Sequence, residues 1–192
     1  MRKFGIAIAI ATMAVACAAR ADDKPLPLEP APWAALTSPE AAVKVAFEKV
    51  CLRAMLGGQP IGPIAVANRL LPVDPRGAGA TPDDKVWRLA SLGRVFVVAW
   101  KDGSCSSSSE RGDPDILSRQ VLTAVASAGV ALRQGQTYPA DDGGSRVAWC
   151  SEGPQPWVLA IVTRRGAKGR RPAIVTTLFK AKGDAPAFCR SA

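Results

Sequence analysis

The chain of 192 residues contains no histidine. This removes the side chain that most often serves as general base, the usual Ser–His and Cys–His triads, and the commonest transition-metal ligand. A Ser–Lys dyad or a carboxylate pair is the remaining route to proton transfer. No two cysteines stand at CxxC spacing, which excludes a thioredoxin-type redox motif and a zinc ribbon. Oxygen ligands at EF-hand-like spacing are absent as well. No apolar run reaches the roughly 20 residues that a membrane-spanning helix needs. No cofactor and no metal are implied.

What is there begins with a targeting signature. Arg2 and Lys3 precede an apolar run from Ile6 to Val15, and Ala19-Arg20-Ala21 gives a small-x-small site. Residues 1–21 read as a signal peptide cut between Ala21 and Asp22. Ala14-Val15-Ala16-Cys17 resembles a lipobox with alanine where leucine is typical. The expectation is a soluble exported protein, periplasmic or secreted, with a lipid anchor on Cys17 as the alternative. Residues 22–37 carry four prolines by position 32 and form an extended tether. A single domain covers residues 38–192, long enough for a proper core.

Five cysteines occur, and Cys17 leaves with the signal or is lipidated. Cys51, Cys105, Cys150 and Cys189 remain, an even number in an oxidising compartment, so two structural disulfides are expected. Three connectivities exist. The preferred one is Cys51–Cys105, tying the first helix to the sheet, with Cys150–Cys189 tying the tail to a strand. Formal charge is +9, falling to +6 once Arg2, Lys3 and Arg20 depart. This basic excess serves solubility or attracts anions.

Ser38-Pro39-Glu40 is a helix start: N-cap serine, proline at N1, an acid in the first turn. Val43, Phe47, Val50, Cys51 and Ala54 recur at helical spacing up to Gly57-Gly58, with Cys51 facing inward. Residues 63–71 suggest a short second helix, and 72–85 a loop. The run Val95 to Trp100 is apolar on both alternating faces, as in a strand covered on both sides. Residues 86–92 precede it as a strand. Asp102-Gly103 turns it, by a type I′ hairpin, into a serine-rich third strand, 104–110, expected at an edge or fraying. Asp113-Pro114-Asp115 starts another helix, with Leu117, Val121, Val125 and Ala128 inward and Gly129 at its end. Strands follow at 130–138, 146–151, 157–164 and 173–180.

The order is α-α-β-β(-β)-α-β-β-β(-β). Short turns imply antiparallel pairing, so the expectation is α+β: a twisted antiparallel sheet of about five to seven strands with two or three helices on one face. A profilin-like or similar small sandwich satisfies the same order. Trp87, Val95, Val97 and Trp100 are expected in the core. Trp33, in the tether, is available to cap the domain or dock on a partner.

Three features invite chemistry. Gly103-Ser104-Cys105-Ser106 is not a GxSxG elbow, and no helix follows it, so Cys105 reads as a staple. The acid pairs Asp83-Asp84, Asp113/Asp115 and Asp141-Asp142 all lie in turns or at a helix start, where aspartate serves local hydrogen bonding. The sharpest candidate is the hairpin loop 164–171. Arg164, Arg165, Lys168, Arg170 and Arg171 stand there with two glycines and no acid. It is either a solvated loop guarding a strong hairpin or an anion and partner contact. No aromatic is interleaved for base stacking, so nucleic acid is not expected.

The signal peptide, a helix carrying Val50-Cys51-Leu52 and strands ending in Gly103-Ser104-Cys105 together resemble uncharacterised bacterial exported and lipoprotein-type proteins. The resemblance implies a small α+β domain and brings no activity. The reading is a non-enzymatic binding or accessory domain, contacting an anionic envelope component or an acidic protein through residues 164–171. The rivals are an envelope enzyme with a His-free mechanism and an inhibitor or effector-type partner protein. Oligomeric state is left open.

Overall fold

A computed structural model of the chain describes residues 36, 38–89, 94–140, 143–153, 155–165, 171–183 and 186–189. Cys17, the Ala21–Asp22 junction, Trp33, Asp141, Asp142, Lys168 and Arg170 lie outside the described residues. Among the described residues no helix is long and apolar enough to cross a membrane.

The first helical rod runs as α1 (Pro39–Ala46), a π-turn (Phe47–Leu52) and α2 (Arg53–Gly57). Ser38 caps it, its Oγ accepting from Ala41 N at 3.2 Å. Gly58 ends it in the left-handed region at φ +62°. Within the π-turn four of six residues are buried: Phe47, Val50, Cys51 and Leu52. A plain α-helical stripe through Phe47, Cys51 and Ala54 leaves Leu52 on its flank. The wider i→i+5 turn brings it into the core as well.

Next comes α3 (Ile61–Ala67), starting two residues before the expected position because Pro60 serves as N-cap and Pro63 fits within the first turn. The long helix α4 (Pro114–Ser127) is capped by Asp113, whose carboxylate accepts from Asp115 N at 2.8 Å and Ile116 N at 3.1 Å. Its inward residues are Leu117, Val121, Ala124 and Val125. Glu40 Oε1 accepts from Asp113 N at 2.9 Å, joining the starts of α1 and α4. Gly112 makes room for this contact. At φ +107°, a Cβ there meets Glu40 Oε1 at 2.8 Å and Leu117 Cδ1 at 3.1 Å.

The strands are β1 (Leu71–Val73), β2 (Lys85–Arg88), β3 (Val95–Ala99), β4 (Cys105–Ser109), β5 (Arg133–Pro139), β6 (Ser145–Cys150), β7 (Trp157–Thr163) and β8 (Ile174–Lys180). They form one antiparallel sheet in the order β1-β2-β3-β4-β8-β7-β6-β5. The fold is α+β, as expected, with eight strands rather than five to seven. The added strand is β1, which takes Leu71 from the expected end of the second helix and residues 72–73 from the expected loop. It is an edge strand of three residues containing Pro72, as edges allow.

The serine-rich strand is the main correction. β4 is central, between β3 and β8, and four of its five residues are buried. Hydroxyl pairing makes this affordable. Ser107 Oγ lies 2.7 Å from Thr176 Oγ1, and Ser106 Oγ lies 2.8 Å from Thr177 Oγ1 while accepting from Trp100 Nε1 at 2.6 Å. The β3–β4 hairpin is present, but its turn differs from type I′. Residues 101–103 form a three-residue loop in which only Gly103 has positive φ, +89°. Asp102 instead accepts from Ser104 N at 2.8 Å.

The helices cover one face of the sheet. Phe47, Leu117, Val121 and Val125 pack there on Val95, Val97, Leu159, Ile174 and Leu178. Each such fully buried side chain contributes roughly 1.5–3 kcal/mol relative to exposure. Two smaller clusters lie elsewhere. One joins Val86 and Val98 to Ala80 beside the short 3₁₀ turn Pro75–Ala78, with half-buried Trp100 at its margin. Trp100 is thus outside the main core, whereas Trp87 lies within it. The other cluster joins Ala148, Cys150 and Val158 to Ala181 and Cys189 of the C-terminal segment.

Both disulfides are formed in the preferred pairing. Cys51–Cys105 ties the π-turn to β4, and Cys150–Cys189 ties β6 to the C-terminal 3₁₀ turn Ala187–Cys189. The bridges span 54 and 39 residues. In the chain-entropy account each restricts the unfolded state by about 4 kcal/mol.

Candidate functional site

α4 begins over the ends of β7 and β8, and a cleft of about 590 Å³ opens beside it. Asp115, Ser118 and Leu122, on successive turns of α4, form one wall. The floor is the helix-side face of β6 and β7, lined by Val147 and its register partner Ile161, with Trp149 and Thr163 on either side. Gln134 of the edge strand β5 closes the far side. Trp149 is half-buried and packs against the main core, so its ring is fixed from below.

The mouth of the cleft holds a charge pair. Arg165, just beyond β7, donates from Nη2 to Asp115 Oδ2 at 2.5 Å. Both side chains are well exposed, 80% for Arg165 and 54% for Asp115. Water and salt screen such a pair, which is worth about 0.2–1 kcal/mol at most and opens easily. The Asp113 carboxyl is held below its usual range by the N–H groups of Ile116 and Asp115, with Arg119 and Arg165 adding to the effect. Anionic and cationic groups therefore alternate around the start of α4.

The expected loop residues divide by role. Arg164 N donates to Ala173 O at 2.9 Å, and its Nη1 donates to Pro172 O at 3.1 Å. Arg164 thus braces the root of the β7–β8 connection. Arg165 stands at the cleft mouth, and Arg171 is exposed where the chain returns towards β8. The acid opposite Arg165 is 50 residues away in sequence, which is why a local reading found the loop free of acids.

Of the acid pair Asp83-Asp84, the second residue has a structural role. Asp84 is 4% exposed and accepts from Thr81 N (2.8 Å), Thr81 Oγ1 (2.6 Å) and Lys101 N (3.0 Å). These bonds, that from the Thr81 hydroxyl foremost, hold its carboxyl below the usual range against the opposing effect of burial. Ser118 Oγ donates to Pro114 O at 2.8 Å within its own helix. Among the described residues no group of three or more Cys, Asp or Glu side chains is arranged to hold a metal ion.

A second cleft, of about 800 Å³, lies at the far end of β8, where Lys180, the C-terminal segment and the β3–β4 turn meet. Neither cleft is visible in the sequence. Each combines residues from elements distant in the chain, and the only local sign was the clustering of basic residues after Thr163. No family model, curated protein or solved structure matches this chain.

Proposed function

We propose that the chain is an exported, non-enzymatic binding domain that meets an anionic envelope surface through the β7–β8 connection and the cleft beneath it. One observation carries the reading: Arg165 stands four-fifths exposed at the mouth of a cleft, and its charge partner among the described residues is Asp115, in a screened pair. Its neighbours Lys168, Arg170 and Arg171 extend the same run of positive charge. An arriving anion can replace Asp115 without breaking any buried contact. The disulfide pair fits an oxidising, extracytoplasmic setting, where lipid head groups supply such anions. The signal sequence 1–21 supports export, and Cys17 supplies an anchor if it is lipidated.

The test is flotation with vesicles of phosphatidylglycerol in phosphatidylcholine, against phosphatidylcholine alone and poly-L-glutamate. Wild type is expected to bind the anionic vesicles and to release as salt is raised. Replacing Arg165, Lys168, Arg170 and Arg171 together by Ser is expected to abolish that binding while leaving the thermal midpoint nearly unchanged. Undiminished vesicle binding by the variant overturns the proposal. Binding to poly-L-glutamate alone would assign the surface to an acidic protein instead.

A further inference from the structure

The second cleft differs in character from the first. Its base is apolar: Phe179 and Phe188 rest half-buried on Ala148, Val158, Ala181 and the Cys150–Cys189 bridge. Met55 of α2 contributes a flexible thioether from the helix side. Lys180 and Lys182, both exposed, stand along it. Among the described residues Asp102 is the one acid lining it, and its carboxylate already accepts from Ser104 N at 2.8 Å and Ser104 Oγ at 2.6 Å. Lys180 Nζ lies 6.0 Å from the Trp157 ring centroid, at the outer limit of a cation–π contact, so its ammonium is only loosely engaged.

An apolar base bordered by two ammonium groups suits a ligand with an apolar body and an anionic end. The volume of about 800 Å³ lies within the range of small-molecule sites. The wall is rigid, because Phe188 is clamped between the Cys189 disulfide and Gly135 of β5, which the Phe188 carbonyl approaches closely. We infer that this cleft binds a single-chain amphiphile with a carboxylate head, its chain against Phe179, Phe188 and Met55 and its head at Lys180 and Lys182. The site is separate from the Arg165 surface and stands or falls independently of it.

The chain has three methionines, Met1, Met13 and Met55, so ¹³C-methyl-methionine labelling gives a reporter inside the cleft, assigned by Met55→Leu. The labelled full chain is titrated with dodecanoate below its micelle concentration, with decanol and with acetate. The Met55 methyl resonance is expected to shift saturably with dodecanoate and to ignore acetate. The Lys180→Gln/Lys182→Gln variant, altered only at exposed positions, should keep its thermal midpoint and bind dodecanoate at least tenfold more weakly. Decanol affinity should be equal in the two proteins. A Met55 resonance unmoved by dodecanoate overturns the inference. Equal dodecanoate affinity in the lysine variant, or a parallel loss for decanol, does so too.

Discussion

Ser107 and Thr176 face each other within the sheet, both wholly buried. Thr176→Val leaves the Ser107 hydroxyl without its partner, and an orphaned buried hydroxyl costs about 1–3 kcal/mol. Adding Ser107→Ala removes both polar groups and is expected to restore most of that loss, as denaturant midpoints of the single and double variants will show. The pairing also explains why β4 read as an edge. Serine in a strand suggests solvent, and the threonines that satisfy these serines lie about 70 residues further on. The depressed carboxyls of Asp84 and Asp113 act at the same scale. In the unfolded chain these groups take up protons at a higher pH than in the fold. Their stabilisation is therefore present above the ordinary aspartate value of 3.8 and lost as pH falls through the lower folded values. Acid titration of thermal midpoints should show stability falling below pH about 4, with a smaller acid-dependent loss in Asp113→Asn.

Elements with a strong periodic pattern were legible in the sequence. α4, β3, β7 and β8 stand within a residue or two of their expected positions because one apolar stripe or run defines each. The start of the first rod was equally clear from Ser38-Pro39-Glu40. Its π-turn was not, since the residue types alone do not distinguish i→i+5 from i→i+4 bonding. β5 carries no apolar alternation, and pairing with β6 and cover from the C-terminal turn define it. Gly135 is where that cover meets the strand, and a Cβ there would collide with the Phe188 carbonyl. Gly135→Ala should therefore displace the 186–189 segment and cost roughly 1–3 kcal/mol. Faster reduction of Cys150–Cys189 by dithiothreitol, measured against wild type, checks that the damage is local to this contact.

Across the whole molecule, two bridges, a serine-lined central strand and helices on one face give a rigid body that displays its cations at both ends of β8. The disulfide pairing was the most legible long-range feature: of three connectivities, the preferred one joined an inward helical Cys51 to the strand-borne Cys105. Intact mass with and without reductant should differ by four hydrogens, two for each bridge. The clefts were not legible, since each is assembled by topology from separate stretches of chain. The central claim is that Arg165 is held by Asp115 until an anionic surface takes its place. It is tested most directly by comparing Asp115→Asn with Asp83→Asn in binding to phosphatidylglycerol vesicles. Both variants remove one exposed negative charge, but Asp83 sits before β2, with its carboxylate 3.9 Å from Lys101. The account predicts that Asp115→Asn binds several-fold more tightly than Asp83→Asn, and that Arg165→Ser cancels the gain. Equal affinity in the two aspartate variants would contradict it.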